Sequence, residues 1–277
     1  MYRLTGGQVY ATSFSNAGVY GCYDGVEEGW YRPVLERLQI NAAALRFPAV
    51  LDDMENYGVT APGILPVQLP IAAVLADQQA EMLANQVSEA GVGKCTLSTG
   101  IFVGIHAGDR FRPAPKGLKN QNGWRFDGQT VYIFEGQGGM AGSVQQWVKE
   151  ELGLVADYLE IDALAESVPD AGGVLFIPAL TGMMAPYWDQ SARGTIFGLS
   201  RSTTKAHLLR ALLEGIAYRV VDILRAAERE TGVPLRLLRV GGGMSKSAVF
   251  CQILADLTGT VVERTQIEDP SRWAWHC

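Results

Sequence analysis

Three times in its second half the sequence leads from a short apolar, β-branched run into glycine or proline. Twice it then enters a stretch with helical spacing. Residues 131–134 (VYIF) precede 135–142 (EGQGGMAG) and a predicted helix over 145–152. Residues 174–177 (VLFI) lead into 178–188 (PALTGMMAPYW), and 235–240 (LRLLRV) precede Gly241, Gly242, Gly243 and a predicted helix over 247–257. Between the last two units Leu209, Leu212, Leu213, Ile216, Val220, Ile223 and Leu224 form one apolar stripe, which predicts a long, deeply packed helix. Strands alternating with helices predict an α/β fold with a sheet flanked by helices.

The first half is more mixed. Residues 30–38 (WYRPVLERL) predict a short helix with turn-rich flanks, and Asp77 opens DQQAEMLANQV, a helical run with Met82, Leu83 and Val87 at compatible spacing. After Gly91 and Gly93, residues 95–108 (CTLSTGIFVGIHAG) and 129–134 (QTVYIF) are rich in β-branched and aromatic residues and predict strands. The change of pattern places a domain boundary near residue 88.

With 277 residues the chain can form one large domain or two modest ones, and 48% hydrophobic against 19% charged residues excludes disorder. A net charge of -6 without a Lys/Arg block argues against nucleic acid as a partner. Four scattered cysteines and three histidines form no disulfide framework or zinc pattern, so no metal ligands are assigned and a reducing cytoplasm is expected. Two uncharged stretches, 56–76 and 171–188, carry Pro62, Pro66 and Pro70 in the first and Pro178 and Pro186 in the second. Proline at that density breaks a membrane span, so both predict buried strands and loops. The N-terminus has no apolar signal core.

Several residues could carry chemistry. A helix N-terminus after a glycine turn suits a phosphate, because free N–H groups point outward and glycine lets the ligand approach. Gly136-x-Gly138-x-x-Ala141 matches the outline of a dinucleotide fingerprint, although such glycines also serve purely steric ends. The acidic residue a dinucleotide fold needs about 20 positions on would be Glu160 or Asp162, both in a helix-like stretch, so an NAD-dependent oxidoreductase fits poorly. Asp77 reads either as an N-cap or as a carboxylate that takes a proton from a substrate hydroxyl. Gln78 and Gln79 read as exposed helix residues or as ligands. Thr99-Gly100 reads as a tight turn or as a hydroxyl and N–H pair aimed at a phosphate.

Residues 194–214 (GTIFGLSRSTTKAHLLRALLE) resemble the C-terminal signature of the FGGY carbohydrate kinases. Residues 4–7 (LTGG), 77–80 (DQQA), 98–102 (STGIF), 140–147 (MAGSVQQW) and 185–194 (APYWDQSARG) are similar to the glycerol kinases of that family, in the family's order. The resemblance implies an α/β actin-like ATPase (ribonuclease H-like) fold of two domains with a cleft between them. Its activity would be transfer of the ATP γ-phosphoryl group to a polyol hydroxyl, with Mg²⁺ as cofactor. Residues 1–88 would be part of the first domain and carry the base, and 89–277 the nucleotide-binding second domain. Asp77 matches the general base, Gln78 a polyol contact and Phe102 an apolar wall of that pocket; Thr99, Gly142, Gln146 and Gly243 match positions that contact ADP. An oligomer of identical chains is compatible with it.

The sequence also departs from that pattern. The Asp-x-Gly-Thr phosphate loop and the Arg, Glu and Tyr that hold glycerol hydroxyls have no counterpart here. The nucleotide turn reads Gly241-Gly242-Gly243 then Ser247-Ala248, where the family has Asp-Gly-Gly and then Asn-Asn, so the Ser247 hydroxyl would stand in for an amide. Residues 268–277 (EDPSRWAWHC) leave the pattern and are expected to be a truncated or frame-shifted tail. The expectation is an incomplete kinase with little activity alone. A non-catalytic nucleotide-binding relative, or a kinase for another polyol or sugar, are the alternatives.

Overall fold

The structure is a computed structural model and describes residues 1–265. The unusual stretch 268–277 lies outside the described residues. The N-terminal part comprises β1 (Ala11–Ser13), α1 (Phe14–Val19), β2 (Tyr23–Asp24), β3 (Gly29–Trp30), α2 (Arg32–Arg37), β4 (Ala49–Leu51) and α3 (Asp77–Ala84). The sheet-forming part follows with β5 (Val92–Leu97), β6 (Gly100–Gly108), β7 (Lys119–Phe126), β8 (Gln129–Met140), α4 (Gly142–Glu150), α5 (Tyr158–Glu166), β9 (Leu175–Ile177) and β10 (Thr195–Phe197). It ends with α6 (Lys205–Thr231), β11 (Leu237–Gly241), α7 (Ala248–Thr258) and β12 (Val261–Arg264).

Six strands form the main sheet in the order β12-β11-β5-β6-β8-β7. The pairs β12–β11 and β11–β5 are parallel, and the pairs from β5 to β7 are antiparallel. Alternation along the strands sorts the side chains onto two faces. Cys95 and Leu97 of β5, Ile101, Val103 and Ile105 of β6, Tyr132 and Phe134 of β8, and Leu238 and Val240 of β11 join one apolar cluster with Leu212, Ile216, Val220 and Ile223 of α6. The predicted stripe is therefore the inner face of a 27-residue helix laid across the sheet. The opposite face carries Met82 of α3, with Val92, Trp124 and Ile133 in a smaller cluster.

The glycine fingerprint is overturned. β8 continues through Gly136 and Gly138 to Met140, so residues 135–140 are strand and not a phosphate turn. A Cβ on Gly136 would collide with Ile223 of α6, and one on Gly138 would lie 2.9 Å from Ile101 across a bulge between β6 and β8. These glycines let a helix and a neighbouring strand approach, which is their steric use.

The N-terminal residues pack on the β7 edge, a strand the sequence reading did not anticipate. Asn122 Nδ2 donates to the Phe14 carbonyl at 2.8 Å, and Phe14 stands edge-on to Tyr132 at 5.9 Å. The buried Asp53 accepts from Ser15 N (3.0 Å) and Arg125 N (2.8 Å). Residues 56–76 are bridged by Tyr57 N to Ile71 O (2.9 Å) and Ile71 N to Gly58 O (2.8 Å), a folded loop whose residues 62–70 are exposed and not buried as expected. Among the described residues no helix is long and apolar enough to cross a membrane.

Candidate functional site

α3 begins where it does because its lead-in is pinned. Ala76 N donates to Ser15 Oγ at 3.0 Å, and Val74 N donates to the Asp53 carbonyl at 2.8 Å. Ala76 is the cap residue, with extended backbone and no capping side chain. Asp77 is thus the first residue inside the helix, and the N-cap alternative is set aside. Its exposed carboxylate accepts from Gln78 N at 2.8 Å through Oδ1. A carboxylate in the first turn also lies at the positive end of the helix dipole.

α3 rests on the sheet through two kinds of contact. Met82 lies over Gly104, where a Cβ would come within 2.8 Å of its sulfur. Beside it, Glu81 forms a salt bridge with Lys94 of β5 and accepts from Thr96 Oγ1. Gln79, expected at the surface, is wholly buried and donates to the Asn122 carbonyl at 2.8 Å.

Strand register spreads this polar surface sideways. Lys94 stands beside Gly104, Gly104 beside Glu135, and Glu135 beside Lys119; one step along, Thr96 pairs with Phe102 and Phe102 with Gln137. Phe102 therefore shares a sheet face with the groups that hold α3. Burial pushes the Glu135 carboxyl up, opposed by Lys119 and Lys94. Burial pushes Lys94 down, opposed by Glu81.

At the far end of β5 three distant segments meet. The β5–β6 turn, Ser98-Thr99, accepts from the start of α4: Gly142 N to Ser98 O (2.9 Å), Ala141 N to Thr99 O (3.0 Å) and Ser143 Oγ to Thr99 O (2.8 Å). A Cβ on Gly142 would lie 2.6 Å from the Ser98 carbonyl, so glycine there serves this approach. The first N–H groups of α4 are consequently committed to the hairpin. From the other side, Gly242, at φ +85° and ψ 178°, abuts the Leu97 carbonyl. Gly243 differs: a Cβ there meets nothing within 4 Å among the described residues and its φ is not positive, so neither packing against them nor backbone demands glycine. Thr99 is exposed at the same end of the strand.

Two expected nucleotide contacts are used locally. Gln146 lies exposed on α4 and donates to Glu150 at 2.9 Å. Ser247 caps α7, accepting from Phe250 N at 3.0 Å and donating to Asp162 at 2.8 Å. The hydroxyl has one proton, so donating it to a purine would cost the Asp162 bond. Burial pushes the Asp162 carboxyl up, and the Ser247 hydroxyl opposes it. Among the described residues no three His, Cys, Asp or Glu side chains gather into a metal-holding group.

The fold is that of the actin-like ATPases. Residues 93–273 match the model of the FGGY family of carbohydrate kinases, C-terminal domain, and the chain belongs to that family. It is 40% identical over 268 residues to a glycerol kinase of Halorhodospira halophila, covering 96% of this chain and 52% of that protein. It is 40% identical over 269 residues to one of Thermus brockianus, covering 97% and 54%. The crystal structure of Plasmodium falciparum glycerol kinase with ADP superposes with a TM-score of 0.92 at 28% identity, over 99% of this chain and 54% of that one. A xylulose kinase from Lactobacillus acidophilus shares the fold, at TM-score 0.84 and 21% identity over 99% of this chain and 55% of that one. The chain spans about half the length of the curated relatives it matches.

Proposed function

We propose that this chain is the C-terminal part of an ATP-dependent polyol kinase, with glycerol as the first acceptor to test. The observation that carries the reading is the placement of Asp77. Its exposed carboxylate opens a helix clamped onto the sheet face that bears Phe102. Strand β5 ends at the turn that carries Thr99, that Gly142 approaches and that Gly242, the neighbour of Gly243, abuts. Acceptor and phosphoryl donor thus have seats along one strand.

In this reading Asp77 takes the proton of the acceptor hydroxyl, whose oxygen attacks the γ-phosphorus as the bond to ADP breaks. The products are the polyol phosphate and ADP. Gln78 holds a second hydroxyl and Phe102 walls the carbon chain. Thr99, Gly142, Gln146 and Gly243 line the nucleotide seat, and Ser247 orders the start of α7 behind it. The open space at Gly243 fits a phosphate approaching backbone. No group of three metal-holding side chains gathers among the described residues, so a Mg²⁺ would be held by the nucleotide phosphates with Asp77, and when bound it would neutralise charge on the transferred group. Residues 1–88 and 89–277 are assigned to the first and second domains.

Calorimetry with ATP and glycerol tests this, together with glycerol-dependent ADP release. ATP should bind the purified chain, glycerol should change that binding, and turnover should be close to background. Asp77→Asn should abolish whatever turnover is seen while leaving ATP affinity in place. ATP binding without any glycerol effect would move the chain to the non-catalytic alternative; a folded chain that ignores ATP would end both readings.

A further inference from the structure

Lys94 is a buried cation that the proposed reaction does not use. It is 2% exposed, in the middle of β5. An unpaired ammonium in such a place is costly, and burial pushes its pKa down. Its partners explain its retention. Nζ forms the salt bridge to Glu81 and donates to Gln78 Oε1 at 3.0 Å. Gln78 and Glu81 are three residues apart on α3, so they lie on one helix face and a single lysine can hold both. Thr96 Oγ1 occupies the other Glu81 oxygen, which keeps that carboxylate turned to the strand.

The consequence concerns Gln78. An ammonium has donors only, so the group it faces must be the amide oxygen, never the amide nitrogen. With Oε1 so engaged, the two Nε2 hydrogens are what Gln78 has left to offer. We infer that Lys94 is a positioning residue for the acceptor: by holding Oε1 of Gln78 it turns the Gln78 amide hydrogens toward the substrate, so that this subsite takes a hydrogen-bond-accepting oxygen. Glu81 is the counter-ion that keeps the lysine on station. The inference rests on Gln78 being an acceptor contact, as proposed above.

The test uses the 277-residue chain with ATP and needs no turnover. The Gln78 side-chain amide is observed by ¹⁵N NMR and assigned by its loss in Gln78→Glu. Gln79, held by the Asn122 carbonyl, is the internal control. Lys94→Met alone strands Glu81 without its partner and risks misfolding. Lys94→Met with Glu81→Gln removes both charges and leaves Thr96 an amide oxygen to bond. In that double variant the Gln78 amide order parameter should fall from about 0.85 to below about 0.6 while Gln79 is unmoved. The glycerol concentration that half-shifts the Gln78 peak should rise about tenfold, a change of about 1.4 kcal/mol.

A folded double variant whose Gln78 amide stays ordered overturns the positioning role and leaves the reading of the site standing. A wild-type Gln78 peak that glycerol does not move overturns the acceptor reading, and the inference with it. Loosening of Gln78 and Gln79 together would show a general structural role and also overturns the inference.

Discussion

Gly242 and Gly243 are neighbours with opposite reasons to be glycine, and exchanging each for alanine separates fold from ligand. Gly242 sits at φ +85° and ψ 178°, a region that only glycine occupies freely, and its Cβ would press on the Leu97 carbonyl. The backbone conformation costs an alanine about 1–3 kcal/mol, and the overpacking about 1–3 kcal/mol more, since a carbonyl in a strand cannot rotate away. Gly242→Ala should therefore lose about 2–6 kcal/mol, or about 4–24 °C in Tm for a domain of this size. Gly243→Ala meets no atom of the described residues within 4 Å and no strained φ. Its stability should stay within about 1 kcal/mol of wild type, with a small gain from a stiffer unfolded chain. If Gly243 lies under the nucleotide phosphates, the added methyl should raise the Kd for ATP at least about tenfold, about 1.4 kcal/mol. Differential scanning calorimetry and ATP titration of both variants decide the matter. An unaltered Tm in Gly242→Ala would refute the backbone argument, and unaltered ATP affinity in a stable Gly243→Ala would remove this turn from the nucleotide seat.

Other perturbations follow from the same contacts. Ser247→Ala removes the α7 cap and the Asp162 bond and should cost about 1–2 kcal/mol in urea melts, with ATP affinity within about twofold; a larger loss of affinity would restore Ser247 as a ligand contact. Gly136→Ala should destabilise by about 1–3 kcal/mol through Ile223, and NADH fluorescence should be the same with and without the chain. Burial lowers the His106 pKa, so the unfolded chain takes up the proton first as pH falls below about 6.5. The histidine's contribution to stability should be lost on that descent, and His106→Gln should flatten the stability profile there.

Periodicity made the framework legible and contacts across the sheet did not show. The α6 stripe, the β11 run and the α7 helix each repeat apolar residues at one spacing over several positions, a signal that tertiary contacts reinforce. β7 hides because its first residues, Lys119, Asn120, Gln121 and Asn122, are polar; Asn122 is buried only because it bonds Phe14, more than a hundred residues earlier. The glycines at 136 and 138 misled because a phosphate turn and a close helix crossing ask for the same residue, and only the position of Ile223 separates them. Only the family resemblance gives Asp77 and Phe102 their roles; the structure sets Asp77 at the start of α3 and Phe102 on β6 opposite Thr96. Lys94 and Glu81 escaped notice: a lysine inside VGKCTL and a glutamate one helical turn after Asp77 become a pair only when α3 is laid on β5.

The charges on this sheet face bear on how the chain could handle a triphosphate. Lys94 is bound to Glu81, and Lys119 stands 4.0 Å from Glu135, so both lysines in the row face carboxylates already. Asp77 and Glu135 are close enough for the Asp77 charge to push the Glu135 carboxyl further up. A γ-phosphoryl group brought to Asp77 thus meets an environment without spare positive charge in that row, and a transferring phosphate needs such charge above all. If the nucleotide carries it in as Mg²⁺, removing the metal with a chelator should weaken ATP binding to the chain more than about tenfold. The same treatment should leave ADP affinity less affected, because ADP has no γ-phosphate to place against the two carboxyls. Equal loss for both nucleotides would show that the metal does not act through the γ-phosphate, and would count against an acceptor seat beside Asp77.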